Sequence, residues 1–275
     1  MPRTAVAGFL AVATTCALLS SPQGVGASSA EDRGLLKLAG HHVKWGVLAY
    51  GNRATVTYAY LTEPRTFRAA RNCRQMTPIG DLLARSGIEP AAFDREVAAA
   101  FALWAAAADL RFARIDDAAD ADIVIGAQAG PAGVAFTNVF QEVVETGAID
   151  GIGKATICLD PSERWEVAVD GDPNTYNLRY VAAHEVGHAI GLDHRGRDQG
   201  IMGFAYQEKV ALPDEIRLAA TDAAAAARLY GPAAGRPDAV AVAGSAAQQG
   251  SPPCLAVEPA ATPPAIACGL AASGN

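Results

Sequence analysis

Residues 184–194 read His-Glu-Val-Gly-His-Ala-Ile-Gly-Leu-Asp-His, and no other stretch restricts the fold as tightly. His184 and His188 are four apart, so on a helix both rings leave the same face, with Glu185 projecting beside them. That helix must end soon afterwards. Gly191 can take the left-handed backbone that turns the chain, which lets His194 return toward the first two imidazoles. Three imidazoles at this spacing suit a zinc ion whose fourth position stays open for water, the mark of a catalytic rather than a closed structural site. A bare His-Glu-x-x-His match arises by chance on exposed helices, but here Gly191 and His194 extend it. Met202, in Ile201-Met202-Gly203, then supplies the methionine turn that the long form of the motif requires. Of five histidines, only His41 and His42 lie elsewhere, and near the mature start they are expected to form a flexible, solvated pair.

With 275 residues, 51% of them hydrophobic, the chain can bury one sizeable core and carry an appendage. A formal net charge of −7, with no basic stripe, argues against nucleic-acid or anionic-membrane partners. Residues 1–30 have the charged start, apolar run and small-residue end of a cleaved secretory signal, so export is expected. The apolar run is shorter than the roughly 20 residues that span a bilayer. Past the signal remain Cys73, Cys158, Cys254 and Cys268, an even number in an exported protein, which implies two disulfides. Three pairings are open. Cys254 and Cys268 are close together in a Pro-rich tail, and Cys73 with Cys158 would then tie the body. A Cys73 thiolate blocking the zinc is the alternative, which the flanking Arg-Asn-Cys-Arg-Gln does little to favour.

Residues 43–61 read as one strand, and 62–90 as irregular with a short helix near 79–86. From Pro90 the pattern turns helical, with Phe93, Val97, Phe101 and Trp104 as core. Strands follow at 110–115, 122–127, 133–140 and 154–159, the last two separated by a Gly-rich loop. The turn-forming run Asp170-Gly171-Asp172-Pro173-Asn174 precedes a helix at 177–190. A last helix at 221–229 stops at Gly231-Pro232. The expected organisation is a short N-terminal segment (31–42), a catalytic domain (43–232) and an Ala/Pro/Gly-rich flexible tail (233–275) holding the Cys254–Cys268 bridge.

In this order of elements the chain resembles the matrixin branch of the metzincin zinc endopeptidases. The resemblance is carried by Tyr176-Asn177-Leu178 and Val181-Ala182-Ala183-His184-Glu185, by Leu159-Asp160 with Glu163-Arg164-Trp165, by Met202 with Tyr206, and by Leu229-Tyr230-Gly231. It implies an α/β (α+β) zincin fold: a twisted, mostly parallel sheet, an active-site helix and a C-terminal helix. It further implies that Met202 lies structurally under the zinc, that Tyr206 walls the substrate pocket, and that Asp160 and Glu163 match carboxylates that hold calcium, an ion suited to hard oxygen ligands. Gly203 and Phe204 stand where that family usually has Tyr and Pro. Cys158 stands where it has a histidine for a structural zinc, so no structural zinc is expected. Nor is the family's latency segment, with its zinc-blocking cysteine, expected in the dozen or so residues between the signal and the first strand.

The implied activity is hydrolysis of peptide bonds by a secreted monomer acting on protein or peptide substrates. Glu185 would be the general base toward a zinc-activated water, and substrate would lie extended along the 133–140 strand. Two other readings share the motif: a secreted zinc-binding module without turnover, against which the retained Glu185 argues, and a zinc hydrolase of non-peptide amides or esters.

Overall fold

A computed structural model describes residues 32–144, 147–167, 174–196, 200–203 and 216–233. Residues 1–31, which include the expected signal, the run from Asp170 to Pro173, Phe204, Tyr206, Cys254, Cys268 and all residues beyond 233 lie outside the described residues.

The strands are β1 (Lys37–Leu38), β2 (His41–Lys44), β3 (Ala54–Tyr60), β4 (Arg65–Thr66), β5 (Gln75–Met76), β6 (Leu110–Arg114), β7 (Ile123–Ala127), β8 (Ala135–Glu142), β9 (Ile149–Leu159), β10 (Arg164–Glu166) and β11 (Thr175–Asn177). The helices are α1 (Gly80–Ser86), α2 (Pro90–Ala107), α3 (Leu178–Ala189) and α4 (Ala220–Tyr230). A seven-stranded sheet runs β1-β2-β9-β7-β3-β6, and β8 also pairs with β9. Four of its pairings are parallel, β3 with β6 and β7, and β9 with β7 and β2, while β8 lies antiparallel on β9. This is the expected α/β layout, with a mostly parallel sheet. All five residues of β7, Ile-Val-Ile-Gly-Ala, are buried, as a strand covered on both faces must be.

Pro90 at the first turn of α2 starts the helix where no N–H is needed. Its buried stripe, Phe93, Glu96, Val97, Ala100, Phe101 and Trp104, packs against sheet and α3. Tyr58 of β3 stacks on Phe101 with ring centroids 4.2 Å apart. The Arg179 guanidinium of α3 holds Glu96 of α2 at 2.7 Å, which satisfies a carboxylate that α2 buries. Trp104 Nε1 donates to the Ala183 carbonyl at 2.8 Å and fixes the rotation of α2 against α3.

Several sequence expectations need correction. Residues 43–61 are two strands, because Gly46 and Gly51, both at φ +72°, turn the chain between β2 and β3. Lys44 organises that loop from within: fully buried, it donates to the carbonyls of Trp45, Val47 and Asn52 and lies over the Tyr230 ring. Residues 31–42 are not merely a leader, since β1 and β2 join the sheet and β2 pairs with β9. Nor are His41 and His42 a solvated pair. His42 is buried with its ring nitrogen 2.5 Å from the Tyr50 hydroxyl, and His41 meets the buried Asp150 carboxylate at 3.0 Å. The Gly-rich segment before residue 154 belongs to β9 from Ile149 onward. A Cβ at Gly153 would come 2.4 Å from the Glu142 carboxylate, so the glycine lets a side chain of β8 cross the strand.

Cys73 and Cys158 form a disulfide, which answers both for the expected pairing in the body and for the rejected free thiolate. Among the described residues, no helix is long and apolar enough to cross a membrane.

Candidate active site

Asn177 starts the helix that carries the motif: its side-chain oxygen accepts from the Tyr180 N–H at 3.1 Å, satisfying one of the free donors of the first turn. The helix ends as its sequence requires. Gly191, at φ +92°, sends its N–H to the His188 carbonyl, and Leu192 sends its own to Gly187, both at 3.0 Å. These two bonds make a left-handed C-terminal cap. A Cβ on Gly191 would meet the Val43 carbonyl oxygen at 2.2 Å, so the turn is closed to other residues on two counts. Trp45 Nε1 and the Tyr230 hydroxyl then cap the Ala189 and Ile190 carbonyls at 2.8 Å each.

That turn brings His194 back to the helix. The ring nitrogens of His184, His188 and His194 offer three ligand atoms within 4.8 Å of one another, and this is the only such group of three or more among the described residues. Backbone carbonyls fix two of the tautomers. His184 Nδ1 lies 2.6 Å from the Ile201 oxygen and His188 Nδ1 lies 2.9 Å from that of Leu192. A carbonyl only accepts, so both Nδ1 atoms carry the proton and both Nε2 atoms present lone pairs. Those two Nε2 atoms face each other at 3.1 Å. Burial lowers the pKa of all three rings, that of His188 to about 3, which keeps them neutral and able to ligate. A donor set of neutral imidazoles converging at this distance fits a tetrahedral zinc ion.

Met202 is fully buried beneath the ligand helix, and a methyl on Gly187 would come 2.3 Å from its sulfur. Its turn is held by the backbone: Met202 N–H donates to the buried Asp222 carboxylate of α4 at 3.3 Å, and its carbonyl accepts from Arg195 at 2.9 Å.

Glu185 is buried, and desolvation pushes its carboxyl up to about 7 against the opposing effect of its one side-chain donor. That donor is Thr137, whose hydroxyl lies 2.6 Å from Glu185 Oε2. The motif alone could not have revealed it, since Thr137 is 48 residues away and faces Glu185 only because of the register of β8. A cleft of about 570 Å³ opens here, between β8 on one side and Tyr180, Val181, Glu185 and the histidines on the other. Among the described residues β8 pairs only with β9, which leaves its second edge free along this cleft.

Asp160 and Glu163 do not gather a third ligand among the described residues. The Asp160 oxygens accept hydrogen bonds from the chain, Oδ1 from the Ser162 N–H and hydroxyl and Oδ2 from the Gly130 N–H at 3.0 Å. Tyr206, the expected pocket wall, is outside the described residues.

An α/β domain in which one helix and the turn after it converge three imidazoles beside a buried carboxylate, under a sheet edge, is of the metzincin class. Residues 83–231 match the Matrixin family, more than half of the chain, and the chain belongs to that family. It is 30% identical over 145 residues to Metalloendoproteinase 1-MMP of Arabidopsis thaliana, covering 48% of this chain and 36% of that protein. Against human Matrix metalloproteinase-20 the figures are 32% over 144 residues, 50% and 28%. Against rat Matrilysin they are 30% over 143 residues, 50% and 50%. The chain thus spans half or less of the length of these relatives.

Proposed function

We propose that the protein is an exported zinc-dependent endopeptidase. The observation that carries this is the pair of Nε2 lone pairs facing each other at 3.1 Å while both Nδ1 protons are committed to backbone carbonyls. Such an arrangement is repulsive without a cation to share it, and His194 supplies the third donor. Bound zinc would lower the pKa of a coordinated water toward about 7 and polarise a carbonyl oxygen. The rest falls to the chain itself. Glu185 takes a proton from the attacking water and returns it to the leaving amine, its carboxyl being raised by burial above the usual carboxylate range in the metal-free site. Thr137 holds the carboxylate from the side of β8. The free edge of β8 pairs backbone to backbone with an extended peptide, which favours peptides over smaller amides or esters. Met202 floors the histidines.

Asp160 and Glu163 would supply hard oxygen ligands to a calcium ion, the Asp160 carboxylate being oriented by the Gly130 and Ser162 N–H groups. The Cys73–Cys158 disulfide is consistent with the signal-like residues 1–30 and an oxidising destination.

The test is digestion of a peptide library by the mature protein with and without a chelator, beside metal analysis of wild type, His188→Ala and Glu185→Ala. One zinc per chain is expected in the wild type and much less in His188→Ala. Glu185→Ala should keep its zinc and lose about 10²–10⁴ in rate. Zinc content unaffected by His188→Ala, or equal cleavage by Glu185→Ala, would overturn the assignment.

A further inference from the structure

Four arginines, Arg65, Arg68, Arg71 and Arg74, stand at every third position of the hairpin formed by β4 and β5, in a chain of net charge −7. Glu63 is the sole acidic residue from 62 to 80. Two of the four are used internally: Arg65 donates to the Ala118 carbonyl and Arg74 to that of Ala70. Arg68 and Arg71 are exposed, and among the described residues neither guanidinium meets a carboxylate.

We propose that this hairpin forms a cationic lip on the cleft, with Arg71 selecting an acidic side chain of the peptide substrate close to the bond cleaved; this rests on the peptidase reading above. The position of Arg71 carries the argument. It lines the same cleft as His184, Glu185 and the edge of β8, and it is the one Lys or Arg among the cleft-lining residues. Its backbone is pinned rather than loose. Asn138, buried in β8, accepts from the N–H groups of Arg71 and Asn72 at 3.0 and 3.2 Å and donates to the Asn72 carbonyl at 3.0 Å. The disulfide anchors the hairpin to β9 two residues further on, and Phe67 N–H closes the loop onto the Arg74 carbonyl at 2.8 Å.

Asn138 follows Thr137, so its side chain leaves the opposite face of β8 from the hydroxyl that touches Glu185; the hairpin is tethered on that far face, and Arg71 reaches the cleft past the free edge of the strand. A peptide extended on that edge passes Arg71 within a few residues of its scissile bond. The lining carboxylates, Glu185 and Asp193, belong to α3 and the turn after it, and bias that part of the cleft against acidic groups. Arg71 therefore sets both the sign of the preferred charge and the side of the cleft on which it is accepted. An ion pair at an open lip gives a modest factor, about three- to tenfold in kcat/KM, and weakens as the screening length falls from about 10 Å at 0.1 M to about 3 Å at 1 M salt.

The experiment uses a cleaved peptide remade with Asp, Asn or Lys at each position flanking the bond, and the wild type, Arg71→Ala and Arg71→Glu enzymes. At one or two positions the Asp peptide should be cleaved about three- to tenfold faster than the Asn peptide at 0.1 M salt. That ratio should fall toward one in Arg71→Ala and at 1 M salt, and should invert in favour of Lys in Arg71→Glu. The same peptides, labelled, are titrated by fluorescence polarisation into zinc-loaded Glu185→Ala protein with Arg71 intact or replaced by Glu. An Arg71-dependent preference for Asp in binding, with no cleavage by the wild type, would leave the lip standing and remove the peptidase reading. Cleavage without charge preference at any position, or a preference that survives Arg71→Glu, overturns the lip.

Discussion

Replacing Gly187 with alanine sets two effects of similar size against each other. On helix propensity alone the change should stabilise α3 by about 1 kcal/mol. The packing opposes it. The new methyl would sit 2.3 Å from Met202 Sδ, 2.8 Å from Trp104 Cζ2 and 3.1 Å from Met202 Cε. The thioether can swing, but Met202 and Trp104 are fully buried, and the indole is fixed by its bond to Ala183. Restoring an ordinary carbon–carbon separation of about 3.8 Å requires α3 and α2 to part by roughly 1 Å. Overpacking of this kind costs about 1–3 kcal/mol, so a net loss of about 1 kcal/mol is expected, or a Tm lower by roughly 2–4 °C. Zinc should report the change more sharply, because His184 and His188 flank Gly187 and would move with the helix while His194 stays with the turn. Urea unfolding of the metal-free protein and zinc competition against a chromophoric chelator measure the two effects separately. In a Met202→Ala background the cost of Gly187→Ala should shrink, since contacting sites couple. A variant stabilised by the full propensity gain, with unchanged zinc affinity, would refute the packing argument.

Thr137→Val should leave zinc content and fold intact and lower kcat by about tenfold or more, because a hydrogen bond to a charged group is worth about 1.5–3 kcal/mol. Thr137 now lowers the Glu185 pKa, so its loss raises that pKa and moves the acidic limb of the pH profile upward; Thr137→Ser should restore both. In the metal-free protein, burial, helped by the neighbouring His184, pushes the His188 pKa down to about 3, against about 6.5 for an ordinary imidazole. The unfolded chain therefore binds the extra proton first. Stability should be fully present above about pH 6.5 and fall on acidification toward pH 3, by at most about 1.4 kcal/mol per pH unit for this residue. Urea midpoints across that range check it, and a flat profile would count against buried neutral imidazoles. Replacing Cys73 and Cys158 together with serine should cost roughly 2–5 kcal/mol in urea unfolding.

The convergence of the three imidazoles was legible in the sequence because it is nearly local. His184, Glu185 and His188 need only a helix, and His194 needs only the turn that Gly191 permits. The core of α2 was legible for the same reason, since its spacing is its own. What the sequence concealed depends on register between distant segments. Thr137 reaches Glu185 only through the pairing of β8 with β9, and His42 is buried only because β2 aligns with Ile149. Gly151 and Gly153 read as loop because glycine weakens strands, yet here they make room for Glu142. The arginines of the hairpin, three apart, had no face to share until the disulfide and Asn138 fixed them beside the cleft.

The Cys73–Cys158 bond closes a covalent ring that takes in α1, α2, β6, β7, β8 and most of β9, and leaves the three histidines and Glu185 outside it. On the proposed reading, an exported peptidase would be exposed to its own activity and to that of its neighbours. Any single cut between residues 74 and 157 opens the ring without releasing a fragment, so the proposed peptide-binding wall would stay chained to the helix that carries Glu185. Such nicked molecules would run as one species until reductant is added, and would part into two only then. The crosslink thus confers damage tolerance on the half of the cleft that bears no catalytic group.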